Sequence, residues 1–124
     1  MMTQSSERIK TLIIAKPGLL CNSLVAFLRA DAQIEIIGVL SDPAIAVTDL
    51  ATLLPQVLVL DADLPANSLE FIHQLSILPG KPVILALSNT VSQRNEIRQA
   101  GADQVFLKGF LDDLPSYINL IAFR

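Results

Sequence analysis

Short apolar runs recur along the chain, each closed by a charged residue, a proline or a glycine. Residues 9–15, 34–40, 57–60 and 83–87 are rich in Ile, Val and Leu and scarcely alternate with polar residues, the pattern of strands buried on both faces. A weaker fifth run spans 104–107. Segments of helical length lie between them. Residues 19–30 place Leu20, Leu24, Phe27 and Leu28 on one stripe, and 43–54 follow Asp42, a capping residue, with Pro43 at the first helical position. Residues 68–78 turn Leu69, Ile72 and the stretch 75–77 inward before Pro79-Gly80 stops the helix. Residues 91–100 follow Asn89-Thr90 and end at Gly101, and 112–122 carry Leu114, Tyr117, Ile118 and Ile121 on one face.

Strand and helix thus alternate five times. Short connections and right-handed crossovers turn that order into one α/β domain, a doubly wound (βα)5 unit with a parallel sheet covered by helices on both sides. A chain of 124 residues suffices for one such domain, expected over 9–124 behind a flexible segment, 1–8. In this architecture function belongs at the carboxyl ends of the strands.

Composition narrows the function. A net charge of −3 and a pI near 4.9 exclude a phosphate-binding surface spread over the domain, so no direct nucleic-acid partner is expected. Mean hydropathy is +0.52, yet no apolar run is long enough to span a membrane, and the polar opening 1–7 lacks a signal core, so a cytoplasmic protein is expected. The single cysteine, Cys21, excludes an internal disulfide and a thiolate metal cluster, and reads as a small packed hydrophobe.

Three polar groups stand at the strand ends. Asp61-Ala62-Asp63-Leu64-Pro65 follows the third strand, Ser88-Asn89 the fourth, and Lys108-Gly109-Phe110 the fifth. Polar termination of a strand accounts for any one of them. A carboxylate, a hydroxyl and an ammonium in register are expected to converge on one small pocket. Asp61 with Asp63 suggests a paired-carboxylate hydrolase, but no histidine base accompanies them, and Ser88 has no histidine to make it a nucleophile. His73 lies on the third helix, remote from the strand ends. No Gly-x-Gly-x-x-Gly or Walker-type loop occurs, which argues against nucleotide or flavin binding through a standard cradle; no enzyme activity is expected. The fourth helix is almost wholly polar, with Arg94 and Arg98 sharing a face.

Taken together, Val57-Leu58-Val59-Leu60-Asp61 with Leu64-Pro65, Ile84-Leu85-Ala86-Leu87-Ser88, Gly101-Ala102-Asp103 and Val105-Phe106-Leu107-Lys108 resemble the receiver domains of two-component response regulators, over essentially the whole chain. The resemblance implies a flavodoxin-like strand order, 2-1-3-4-5. It implies that Asp61 stands where the family accepts a phosphoryl group from a histidine kinase, with Ser88 and Lys108 where the family holds the phosphate. Phe106 matches the aromatic that rotates with the hydroxyl. The face of the fourth helix, fifth strand and fifth helix, with Arg94, Arg98, Phe106 and Tyr117, matches the family's switch and partner surface. The implied partners are signalling proteins, a histidine kinase or an output domain, with homodimerisation through the last two helices.

One departure changes the expected chemistry. Receivers usually carry an acidic pair after the first strand, which coordinates Mg²⁺ with the acceptor aspartate; here those positions are Ala15 and Lys16. The loop after Asp61 is also a residue short and lacks its usual glycine, and Gly109 stands where proline is common. With Lys16 and Lys108 both facing Asp61, the pocket (Ala15, Lys16, Asp61, Asp63, Ser88, Lys108) holds a lone carboxylate between two ammonium groups. A like charge about 4 Å away opposes a cation by up to ~4 kcal/mol at a surface-like dielectric. The expectation is a pseudo-receiver without a metal site, to which Mg²⁺ does not bind, signalling through protein contacts. The rival expectations are a phosphorylated receiver with displaced metal ligands, among them Asp63, that regulates a DNA-binding output domain, and an enzyme or ligand binder on the same fold.

Overall fold

The computed structural model describes residues 8–42, 50, 52–63, 68–109 and 111–122. Strands β1 (Ile9–Ile14), β2 (Ile34–Leu40), β3 (Val57–Asp61), β4 (Val83–Ser88) and β5 (Gln104–Leu107) form one parallel sheet in the order β2-β1-β3-β4-β5. Helices α1 (Leu19–Arg29), α2 (Ser68–Ser76), α3 (Arg94–Ala100) and α4 (Leu114–Ala122) lie among them in sequence. The doubly wound α/β fold and its strand order are as expected. The helix expected over 43–54 falls mainly outside the described residues, as do residues 1–7 of the expected flexible segment, Leu64-Pro65 and Phe110.

Strand side chains alternate between the two faces, and the core divides accordingly. Leu58 and Leu60 of β3 join Ile84 and Ala86 of β4 in a layer closed by Phe71, Ile72 and Leu75 of α2 and Ile97 of α3. Val57, Val59, Leu85 and Leu87 meet Cys21, Leu24 and Leu28 of α1 and Leu114 and Ile118 of α4 on the opposite side. β3 is buried along its whole length, which is why it reads as an unbroken apolar run.

The helix faces correct the expected stripes in detail. In α1 the inner row is Cys21, Leu24 and Leu28, and Phe27, one position off that row, remains 40% exposed. In α2 the inner row is Phe71, Ile72 and Leu75; Leu69 is partly exposed, and Ile77, beyond the last turn, faces solvent. A 3-10 turn, Val91–Gln93, precedes α3, so the regular helix begins three residues later than the pattern suggests. Ile97 is the one buried residue of α3.

α3 ends at Gly101, whose φ of +130° lies where side chains are strained and where a β-carbon would collide with the Ser76 β-carbon of α2. Gly101→Ala is therefore expected to lower unfolding stability by about 3 kcal/mol, from backbone strain and overpacking together. Urea denaturation measures the loss, and Ser76→Gly in the same chain should recover only the packing part.

Candidate functional site

β3 ends at Asp61, which pairs in register with Leu87, so Asp61 and Leu87 share the sheet face packed on α1 and α4. Asp61 is 8% exposed. The chain then turns back: the Asp63 amide donates to Asp61 Oδ1 at 2.9 Å, an Asx-type turn that carries the second carboxylate alongside the first. The Asn89 amide, just after β4, donates to Asp63 Oδ2 at 2.8 Å. Lys108 follows β5 directly, its amide donating to the Ser88 carbonyl at 3.0 Å. Its ammonium lies 2.8 Å from Asp61 Oδ1 and 2.9 Å from Asp63 Oδ2. All three side chains are largely shielded, with 11%, 18% and 19% of Asp61, Asp63 and Lys108 exposed.

Burial alone pulls the Lys108 ammonium below its ordinary pKa, because charge is costly away from water. Hydrogen bonds to Asp61 and Asp63, then the charges of the same two groups, outweigh that penalty and hold the pKa above 10.5.

The remaining site residues fall differently. Ala15 is buried just past β1, its amide bonded to the Leu40 carbonyl at 2.9 Å. Lys16 is exposed and forms no ion pair among the described residues. This corrects the expected electrostatics: the carboxylate is not flanked by two ammonium groups. Two carboxylates share one ammonium. The reason is local. Lys16 lies exposed beyond the buried end of β1, whereas the turn after β3 returns Asp63 to Asp61.

Ser88 reaches the same rim but not the same cluster. It shares the pleat of Ile84 and Ala86, so its side chain belongs to the α2–α3 side of the sheet. The hydroxyl is fully buried, within 3.1 Å of the Thr90 carbonyl and 3.0 Å of Gln93 Oε1, and it accepts from the Thr90 amide at 3.3 Å. Gln93 and Asn89 are participants that sequence reasoning missed; the polar run after β4 was the available signal. Arg94 and Arg98 are exposed on α3. Phe106 of β5 and Tyr117 of α4 are half-buried and meet edge to face, with ring centroids 5.4 Å apart at 74°. His73 is exposed on α2 and Cys21 is buried in α1. Beside Lys108, a groove of about 370 Å³ runs between α1 and the segment before α4, lined by Leu20, Phe27, Leu111 and Leu19, which is 84% exposed.

No family model matches the chain. Among curated proteins it is 34% identical over 89 residues to a protein-glutamate methylesterase/protein-glutamine glutaminase of Nitrosomonas europaea; the match takes in 71% of this chain and 24% of the relative. The chain thus spans about a quarter of the length of the curated relatives it matches. Among solved structures, the signal receiver domain of a DNA binding response regulator from Colwellia psychrerythraea superposes with a TM-score of 0.82 at 21% identity, covering 94% of this chain and 99% of that one. The response regulator domain of Thermotoga maritima CheB superposes with a TM-score of 0.73 at 15% identity, covering 91% and 95%. The fold is that of response regulator receiver domains, with a clustered aspartate pair and lysine at the carboxyl edge of the sheet. No helix among the described residues is long and apolar enough to cross a membrane.

Because the folded-state pKa of Lys108 lies above its unfolded value of 10.5, the folded chain holds that proton more tightly than the unfolded chain. The resulting stability is present in full below 10.5 and is lost as pH rises through the higher folded value. Lys108→Met should remove this alkaline loss, as read by urea unfolding of both chains from neutral pH upward.

Proposed function

We propose that this is a receiver-type signalling domain that works through protein contacts, without magnesium-dependent phosphorylation of Asp61 and without enzymatic activity of its own. One observation carries the reading: the Lys108 ammonium lodges between the Asp61 and Asp63 carboxylates, at a rim where the end of β1 contributes a methyl group and an exposed lysine. Mg²⁺ requires near-octahedral oxygen coordination and gives up its water reluctantly. Asp61 Oδ1 and Asp63 Oδ2 each already accept from Lys108 and from a backbone amide. Among the described residues no group of three or more His, Cys, Asp or Glu side chains is placed to hold a metal. A cation entering here would have to displace the ammonium and supply most of its shell from water. These donors do not suit a resident magnesium ion. Metal-assisted phosphoryl transfer relies on such an ion to neutralise charge between nucleophile and phosphate.

The partners we propose are other signalling proteins, a histidine kinase, an output domain or a second copy of the chain. Arg94, Arg98 and the Phe106–Tyr117 pair offer one surface, and the apolar groove beside Lys108 offers another. The rival reading, phosphoryl acceptance on Asp61 with Asp63 as a replacement metal ligand, is favoured by one feature, the second carboxylate beside the first. Magnesium titration followed by amide NMR should show no saturable shifts, and acetyl phosphate with magnesium should add no phosphoryl mass. Saturable binding with an adduct that Asp61→Asn abolishes would establish the rival. Replacing Ala15 and Lys16 together by aspartate should create magnesium affinity, since it supplies the oxygens that β1 lacks.

A further inference from the structure

Pro55 stands just before β3 and Pro82 just before β4, so the segments around them meet at the amino edge of the parallel sheet, opposite the Asp61–Asp63–Lys108 cluster. There they line a groove of about 330 Å³. Leu50, Pro55 and Pro82 are buried along it, while Leu54, Leu78 and Pro79 are exposed. Among the described residues Lys81 is the one charged side chain that lines it. Leu54 is 69% exposed and Leu78 44%, and Ile77, next to Leu78 in the chain, is 69% exposed. Large apolar side chains thus stand in water beside an apolar hollow.

The hollow is preformed, because three prolines fix the backbone around it and little is left to order when it fills. Leu54 is strained. Its amide donates to the Leu50 carbonyl at 3.0 Å and its φ is +50°, the left-handed conformation in which helices usually end on glycine. Among the described residues it is the one non-glycine with positive φ. Within a single chain its side chain gains little burial to offset that strain.

The charge around the groove selects the occupant. Lys81 pairs with Asp103 at 3.2 Å, the two side chains 33% and 39% exposed, and Asp103 is fixed by the Ile84 amide at 2.8 Å. An acidic ligand drawn to Lys81 would meet Asp103, and a basic one drawn to Asp103 would meet Lys81. A surface with one charge of each sign beside an apolar knob and an apolar hollow is complementary to itself. That balance matters in a chain of net charge −3, whose copies otherwise repel.

We propose that this amino-edge groove is a self-association site: about a two-fold axis, Leu54 of each copy enters the groove of the other, and Lys81 of each faces the other's Asp103. The contact leaves the cluster at the carboxyl edge uncovered and does not depend on the chemistry of Asp61.

Sedimentation velocity of the full chain, from micromolar to millimolar concentration, should show a reversible monomer–dimer equilibrium. Leu54→Gly removes the knob and suits the left-handed backbone, so the variant should fold and its dimer should weaken by about tenfold or more, each copy losing a buried leucine. Lys81→Glu should weaken the dimer too, by setting like charges across the axis, and added salt should narrow that difference. Leu120→Glu, at an exposed position of α4, should leave the dimer unchanged. A chain that stays monomeric throughout overturns the proposal, as does a dimer that Leu54→Gly leaves intact or that Leu120→Glu dissolves. A dimer indifferent to Lys81→Glu overturns the charge pairing. A monomer that instead binds the apolar dye anilinonaphthalene sulfonate, and loses it with Leu54→Gly, assigns the groove to a small apolar molecule and overturns self-association.

Discussion

An ammonium group drawn largely out of water needs negative charge within hydrogen-bond reach, and at the carboxyl edge of this sheet Lys108 has two carboxylates within 2.9 Å. The arrangement binds strands that are not neighbours. β3 and β5 are separated by β4, and the Lys108 clamp passes over the end of β4 to join them. The turn after β3 is fixed by the same cluster, since Asp63 is held by Lys108 and by the Asn89 amide and itself donates to Asp61. Removing the lysine would leave two largely shielded carboxylates facing each other without a counter-ion, which is why the rim depends on this one side chain.

The pleat sorts the chemistry around that clamp. Asp61 follows Val57 and Val59 on the face shared with α1 and α4, and Phe106 packs against that same layer. Ser88 follows Ile84 and Ala86 on the other face, toward α2 and α3. Two residues that meet at one edge of a sheet are thus directed into different layers by a difference of one in register. The carboxylates and the ammonium form one unit, the hydroxyl and Gln93 another, and the backbone of β4 and Lys108 connects them.

Much of this arrangement was legible in the amino-acid order. Strands buried on both faces betray themselves as continuous Ile, Val and Leu, so with the helical segments between them the sheet, its parallel sense and the polar residues at its carboxyl edge could be placed. The polar character of α3 was equally plain, and Ile97 is its single inward residue. Side-chain direction was not legible. Lys16 and Asp63 are both polar residues just past a strand, and only the Asx turn after Asp61 distinguishes the one that enters the cluster from the one that stays in solvent. The inner rows of α1 and α2 were each misjudged at their margins, at Phe27 and at Ile77, because a large apolar residue does not announce whether a helix has turned far enough to bury it. The 3-10 turn at 91–93 was hidden for a similar reason: it differs from an α-helix in hydrogen-bond span, and no residue type there demands it.

The close approach at Gly101 has a mechanical consequence for α3. The rear of the helix is seated without slack: Gly101 lies against Ser76, where no side chain would fit, and Ile97 and Ala102 are sunk into the core. Its front rests on a turn of three exposed residues and a pair of side-chain hydrogen bonds. A rod fastened at one end and lightly propped at the other swings rather than slides, so displacements of α3 grow from Gly101 toward Val91, and Arg94 travels farther than Arg98.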